Sequence, residues 1–320
     1  MKSRVLVLAS LFLSLCWPHS ASAQSWPTRT VSVVVPLPAG TAVDSIARLV
    51  MQQVGQQVGQ SVIVENRPGA GGTLGTSFVA KAAPDGHTLL VYGAAASAAA
   101  LYARLPYDTL TDITPVAPLG QQPLVVVAPP GRFKNMADLI AQAKARPGAL
   151  NFSTPGVGSA AHLGAARLTL SAGAVAQHVP FRGDYILEVA AGRIDFSVAP
   201  VGTVLSLVRD GKLAALGVSA TKRSFALPEV PTLIEAGLKD DAIYPFYIPV
   251  FAPAKTAPQI LDRLYAEIHA ALSEPLVHDR AASLGFEPMP LNRAEMQEFF
   301  RRDVAGNQAL VEAANIPKQQ

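Results

Sequence analysis

The chain has 320 residues, with 26 basic against 23 acidic side chains, 50% of its residues hydrophobic and only 15% charged. Those proportions exclude a disordered charged tail and a small disulfide scaffold, and they leave one large or two medium globular domains. A mean hydropathy of +0.28 is raised by alanine and by one N-terminal apolar run. No other stretch reaches the roughly 18 uninterrupted apolar residues that a spanning helix needs.

The first run predicts export. Lys2 and Arg4 form a short basic region, Val5 to Leu15 an apolar core, and Ala21-Ser22-Ala23 a small-x-small cleavage pattern. Residues 1–23 are therefore expected to be a signal peptide, cut between Ala23 and Gln24, with a periplasmic mature chain. Bulky Leu15 before Cys16 argues against lipidation, because a lipoprotein signal wants a small residue there. Cleavage removes two basic residues, no acidic one and the single cysteine. The near-neutral remainder has no electrostatic footprint for nucleic acid, and no disulfide can form.

Short β-branched runs then alternate with amphipathic windows. Val31 to Val35 reads as a buried strand, followed by helical spacing at Ile46, Leu49, Val50 and Val54. A strand over Ser61 to Glu65, a helix from about Thr73 to Ala83 and a strand over Thr88 to Tyr92 complete a first block. The second block has a strand at Leu124 to Ala128 and a helix capped by Asn135 and ended by Pro147-Gly148. A strand opening at Asn151-Phe152-Ser153, a helix from Ser159 to about Leu170, and a strand at Ala174 to Val179 follow. Then come a short helix near Ile186 and strands at Ile194 to Val198 and Leu213 to Ser219. After Pro245 a strand at Ile248 to Phe251 precedes helices with apolar faces around Leu261, Leu264, Ile268, Leu272 and Phe299, Val304. The alternation is that of a parallel sheet covered on both faces, and the length favours two α/β lobes.

Ligands of such sheets bind at the carboxyl ends of strands, where helix N-termini offer unpaired N–H groups. The turns there are rich in small residues: Pro38-Ala39-Gly40-Thr41, Pro68-Gly69-Ala70-Gly71-Gly72 and Thr154-Pro155-Gly156-Val157-Gly158-Ser159. Three such turns point to an anion-binding cleft. A dinucleotide site is disfavoured: Gly156 to Ala161 fits GxGxxG/A, but the next strand ends in Gln177-His178 where a ribose-binding acid belongs. Ser219-Ala220-Thr221-Lys222 has SxxK spacing, yet Ser219 closes a strand where that motif belongs at a helix start. No metal-ligand spacing occurs among the histidines, and His162 and His178 read as packed residues.

At these turns the chain closely resembles the solute-binding subunits of tripartite tricarboxylate transporters, the Bug family. The resemblance rests on VPLPAGTAVDSIAR at 35–48, VENRPGAGGTLGT at 64–76, FSTPGVGSAAHLGAARL at 152–168, HVPFRG at 178–183 and GRIDFSVAP at 192–200. ALGVSATKRSFALPEVPTLIEAG at 215–237, FAPAKTAPQILDRL at 251–264 and AANIP at 313–317 extend it over nearly the whole mature chain. It implies a two-lobe, type II-like periplasmic-binding-protein (Venus flytrap) fold: residues 24–124 plus 246–320 in one lobe, 125–245 in the other, joined by two crossing strands. It also implies a carboxylate held by main-chain N–H groups, waters and helix N-termini. Residue by residue, Pro38, Ala39, Gly40 and Thr41 would form the first carboxylate loop, and Asp44 would order its helix or bind the far end of the ligand. Thr154, Gly158 and Ser159 would face them, with Gly183 and Asp184 on a third turn.

No catalytic residue, metal or cofactor is expected. The expected partners are a small organic acid and either the large and small permease subunits or a sensor kinase, with the receptor itself a monomer. The different-class alternative is a serine hydrolase using Ser219 and Lys222. Relatives usually have a second glycine at Thr41, a threonine at Val43, an asparagine at Thr73 and a Gly-Ala-Pro turn where this chain has Asp184-Tyr185. These departures imply an altered specificity, toward a larger, aromatic or less anionic compound.

Overall fold

The computed structural model describes residues 26–181 and 183–320; the expected signal peptide lies outside them. The first block runs β1 (Val31–Val35), α1 (Ala42–Val58), β2 (Val62–Asn66), α2 (Thr73–Ala80), β3 (Thr88–Val91), α3 (Ala95–Leu101) and β4 (Ile113–Gln121). The second runs β5 (Leu124–Ala128), α4 (Met136–Ala145), β6 (Asn151–Thr154), α5 (Ala160–Ala172), β7 (Gln177–Pro180), α6 (Tyr185–Ala190), β8 (Phe196–Pro200), α7 (Val201–Arg209) and β9 (Ala214–Ser219). The chain ends with β10 (Tyr247–Pro253), α8 (Pro258–Ser273), α9 (Pro275–Ser283) and α10 (Arg293–Ala313).

The strands form two five-stranded sheets, ordered β2-β1-β3-β10-β4 and β7-β6-β8-β5-β9. Alternation along a strand decides what each face buries. Val33 and Val35 point into a core with Ile46, Val50 and Val54 of α1 and Leu261, Leu264 and Ile268 of α8, while Val34 points the other way, toward Phe251, Phe300 and Val304. In the second sheet Leu124, Val126 and Ala128 face one core and Val125 and Val127 the other. A sheet buried on both faces accounts for these unbroken apolar runs.

The sheets, read from the alternation as parallel, are mixed. β1 pairs in parallel with β2 and β3, and β6 with β7 and β8, but β10 runs antiparallel to β3 and β4 and β5 antiparallel to β8 and β9. The chain crosses from β4 to β5 over two residues and returns into β10, so it re-enters the first sheet in the opposite sense. Periodicity reports which face is buried, not strand direction. The two crossings touch where Gln122 N–H donates to the Phe246 carbonyl at 2.8 Å. Beside them Gln122 Nε2 donates to the Leu284 carbonyl at 2.8 Å. The end of the chain reaches across as well: Leu310, Val311 and Ile316 are buried among Leu124, Val126 and Phe196.

Three elements were not anticipated. α3 is an alanine run buried nearly all round, so no apolar stripe marks it. β4 contains Pro115, Pro118 and Gly120, residues that argue against a strand; it is tolerated as the edge of its sheet. α7 follows β8 with no break, under a Pro200 cap that makes no side-chain hydrogen bond.

Candidate functional site

A cavity of about 710 Å³ opens at the carboxyl ends of β1, β3, β6 and β8, the ends at which open α/β sheets take ligands. Its walls come from both sheets: the turn after β1, the glycine turn at 68–72, Tyr92 and α3 on one side, the 155–161 loop, Tyr185 and Thr203 on the other, and Phe246 at the crossing. Among the described residues no charged side chain lines it.

The first loop is built around Asp44. Thr41 caps α1, accepting from Asp44 N–H at 3.3 Å and donating to the Pro38 carbonyl at 3.1 Å. Gly40, in the left-handed region at φ +81, donates its N–H to Asp44 Oδ2 at 2.9 Å. The other claims on that carboxylate are Asn66 Nδ2 at 2.9 Å and Arg48 Nη2 at 3.0 Å on Oδ1, and Arg48 Nε at 3.1 Å on Oδ2. Burial pushes the Asp44 carboxyl up, but the hydrogen bonds from Arg48, Gly40 and Asn66 outweigh it and hold it below the usual value. Pro38 and Val43 line the cavity and Ala39, Gly40, Thr41 and Asp44 do not; Ala39 and Gly40 are exposed and Asp44 is buried. With both oxygens engaged internally, Asp44 orders the loop rather than facing the cavity.

Across the cleft, Thr154 is fully buried and shapes its loop, accepting from Gly156 N–H at 3.2 Å and meeting His178 Nε2 at 2.6 Å. Ser159 caps α5, accepting from His162 N–H at 3.2 Å and donating to the Gly156 carbonyl at 2.8 Å. Gly158 N–H donates to His162 Nδ1 at 3.0 Å, which requires a neutral imidazole on that nitrogen. His162 stacks on His178 with centroids 3.9 Å apart. Burial, reinforced by that neighbour, lowers His162 to about 4, and burial lowers His178. Gly158, at φ +79, lies so close to the first lobe that a Cβ would fall 2.5 Å from Leu101 Cδ1. Gly158 and Ser159 line the cavity, whereas Thr154 lies beneath the loop.

The remaining expected residues do not reach the wall. Gly183 and Asp184 are exposed, and the Asp184 carboxylate caps α6 through Ile186 N–H at 3.1 Å and Leu187 N–H at 3.4 Å. Their neighbour Tyr185 does line the cavity. In the glycine turn, tyrosine hydroxyls take two of the carbonyls: Tyr92 donates to the Gly71 carbonyl, and Tyr102 to that of Ala70 at 3.0 Å. A Cβ on Gly71 or Gly72 would strike the Tyr102 or Tyr92 phenol, so these glycines make room for an aromatic wall. Thr73 Oγ1 donates to the Ala70 carbonyl at 2.9 Å and adds to the same turn. Ser219 is buried at the end of β9, accepting from Tyr244 N–H at 2.9 Å, while Lys222 is exposed in a loop. That SxxK spacing spans no helix, which removes the geometry a serine–lysine pair requires.

The wall residues that the sequence did not single out include Leu101, Tyr102, Phe246 and Gln319. Tyr92 carried a signal, since it ends an expected strand; Gln319, which donates to the Leu101 and Val157 carbonyls, carried none. At the rim α5 presents its first two residues, Ala160 and Ala161, to the cavity. N–H groups at those positions have no intrahelical partner.

Two α/β lobes joined by crossing strands, with a cavity between the ends of their sheets, define a periplasmic-binding-protein architecture of the two-lobe type. Residues 46–316 match the family described as tripartite tricarboxylate transporter family receptor, TctC. BugT of Bordetella pertussis is 34% identical over 294 residues, covering 90% of each chain. MatC of Rhodopseudomonas palustris, solved with bound malate, superposes with a TM-score of 0.75 at 31% identity, covering 89% of this chain and all of that one. Rpa4515 of R. palustris, solved with adipate, has a TM-score of 0.79 at 29% identity, covering 92% of this chain and all of that one. The chain belongs to the TctC family of solute-binding receptors.

Proposed function

We propose that this chain is an exported, non-enzymatic receptor that captures a small carboxylated solute and hands it to a membrane permease of large and small subunits. The lobes that close on the solute comprise residues 24–124 plus 246–320 and residues 125–245. The observation that carries this reading is the cavity itself: glycine-rich strand ends of two sheets face each other, and the start of α5 opens into the space. The relatives that hold malate and adipate support it. Pro38, Gly158 and Ser159 contribute wall; Ala39, Gly40, Thr41, Asp44, Thr154, Gly183 and Asp184 belong to the loops that carry or adjoin it. Buried, hydrogen-bonded Ser219 supports a receptor without hydrolytic chemistry.

The test is a thermal-shift screen of the mature protein, begun at Gln24, against organic acids. A ligand at 100 times its Kd adds about 2.7 kcal/mol of stability, so a saturable rise in midpoint is expected. A flat response to every acid overturns the reading. Co-purification from the native membrane decides the partner: permease subunits are expected, and a sensor kinase ectodomain without them would replace that assignment.

A further inference from the structure

We propose that the turn at 284–287, just after α9, is the pivot that fixes the angle between the two lobes, with Glu287 the positioning residue that clamps the second lobe to the first. The turn belongs to the packed body of the first lobe, since Phe286 is buried in the core that holds Val33, Ile46 and Leu264. Its backbone grips the outgoing crossing: Gln121 N–H donates to the Glu287 carbonyl at 2.9 Å, and Glu287 N–H to the Gln121 carbonyl at 2.8 Å.

The side chain of Glu287 reaches the other lobe. One oxygen, Oε1, accepts from the Ser224 hydroxyl at 2.6 Å and from the Phe225 N–H at 3.1 Å. Ser224 is 2% exposed, so its hydroxyl has exchanged water for that carboxylate, and a hydrogen bond to a charged acceptor is among the stronger kinds. The Phe225 ring, by contrast, is 82% exposed and does little to hold the turn by packing. A few residues on, Leu227 and Val230 are buried with Val125 and Val218 in a core of the second lobe. The carboxylate thus ties the packed body of one lobe to that of the other.

A second contact sets the spacing. Gly202, the second residue of α7, meets the same turn backbone to backbone: a Cβ on Gly202 would fall 2.5 Å from the Leu284 carbonyl oxygen, and one on Gly285 2.8 Å from Gly202 Cα. Only glycine fits at either position. Two crossing strands by themselves leave a pair of lobes free to swing. Beside these crossings stand an attractive clamp and a steric stop, which together select one angle. Both lobes supply walls of the cavity, so the angle at the pivot sets the width of the cleft.

The experiment needs no solute. The mature chain begun at Gln24 has no cysteine, so a nitroxide label can be placed on each lobe through Lys81→Cys and Lys144→Cys, both at exposed positions, and the interlobe distance read by pulsed electron resonance. Glu287→Met removes the acceptor of both donors and is expected to raise the share of a second distance population at least tenfold, as the loss of hydrogen bonds to a carboxylate implies. Glu287→Gln, whose amide oxygen can take the same two donors, is expected to restore the wild-type distribution. Gly202→Ala, inside a helix where alanine is favoured, is expected to shift the mean distance. An unchanged distribution in Glu287→Met, whatever its melting midpoint, overturns the clamp, and an unchanged mean in Gly202→Ala overturns the stop. If Glu287→Met does not fold, Ser224→Ala, which deletes one donor, must enlarge the second population; a wild-type distribution there overturns the clamp equally.

Discussion

Substituting proline for Ala160 isolates a single N–H group. Ala160 is the first residue of α5, after the Ser159 cap, a position where proline is favoured because its missing N–H has no helical partner. The residue before a proline must be extended, and Ser159 already is, at φ −63 and ψ 158. The chain itself begins α8 with Pro258 and α9 with Pro275. Ala160→Pro should therefore leave unliganded stability unchanged while deleting one N–H donor that the start of α5 offers to a solute carboxylate in the cavity. A hydrogen bond to a charged group contributes about 1.5–3 kcal/mol. At about 1.4 kcal/mol per decade, the Kd should rise roughly 10- to 100-fold. Calorimetry measures the affinity, and a melt without ligand measures stability. Full affinity in a protein that melts normally would refute the reasoning, since the anion would then lie elsewhere; a lowered melt would refute the claim that the site accepts proline.

Other outcomes follow from the same contacts. His162 is lowered to about 4, whereas an unfolded histidine titrates near 6.5. The stability its neutral form provides is therefore complete above pH 6.5 and is lost as the pH falls from 6.5 toward 4, about 3 kcal/mol in all. Asp303 works in the opposite direction: burial raises it to about 6, so protonation regains stability as the pH falls from about 6 through the ordinary carboxylate range. Asp303→Asn should thus steepen the acid loss measured by urea unfolding, and an unchanged slope would refute the opposition. Gly158→Ala forces a side chain into the left-handed region beside Leu101; denaturant titration should show a loss of about 1–2 kcal/mol. Asp44→Ala removes the acceptor of Gly40, Asn66 and Arg48. It should cost about 2–4 kcal/mol in the absence of solute, at about 1 kcal/mol or more per bond. A variant of native stability that fails to bind would place Asp44 on the ligand instead.

Much of the fold was legible because burial on both faces writes itself as uninterrupted apolar strands such as Val31–Val35 and Leu124–Ala128, and helix caps write themselves as Thr41, Asn135 and Ser159. The antiparallel strands and α3 were not, since neither strand direction nor an all-round buried alanine helix leaves a periodic mark. The site was half legible. Glycine turns were visible, but the same turn chemistry serves two ends: N–H groups offered to an anion, or carbonyls offered to tyrosines. At 69–72 the choice falls to the tyrosines, because Tyr92 and Tyr102 approach from the end of β3 and from α3. Those residues lie some twenty to thirty positions away in the chain, beyond any local motif.

The 154–159 loop has two clients, and that links capture to closure. One side of it faces the cavity through Gly158 and Ser159. The other is held from the first lobe, by Leu101 against Gly158 and by Gln319 on the Val157 carbonyl. Beneath both, Thr154 and the stacked histidines fix its shape. A solute carboxylate at the start of α5, which opens into the cavity, and the contacts across the cleft would favour the same loop conformation. Each raises the population in which the other forms, and the coupling is reciprocal. Loosening the Leu101 contact should then weaken solute binding, both through the cavity wall that Leu101 helps to form and through closure. A Leu101→Ala protein that keeps its affinity while its lobes separate more readily, as read by small-angle scattering, would show that capture and closure are independent.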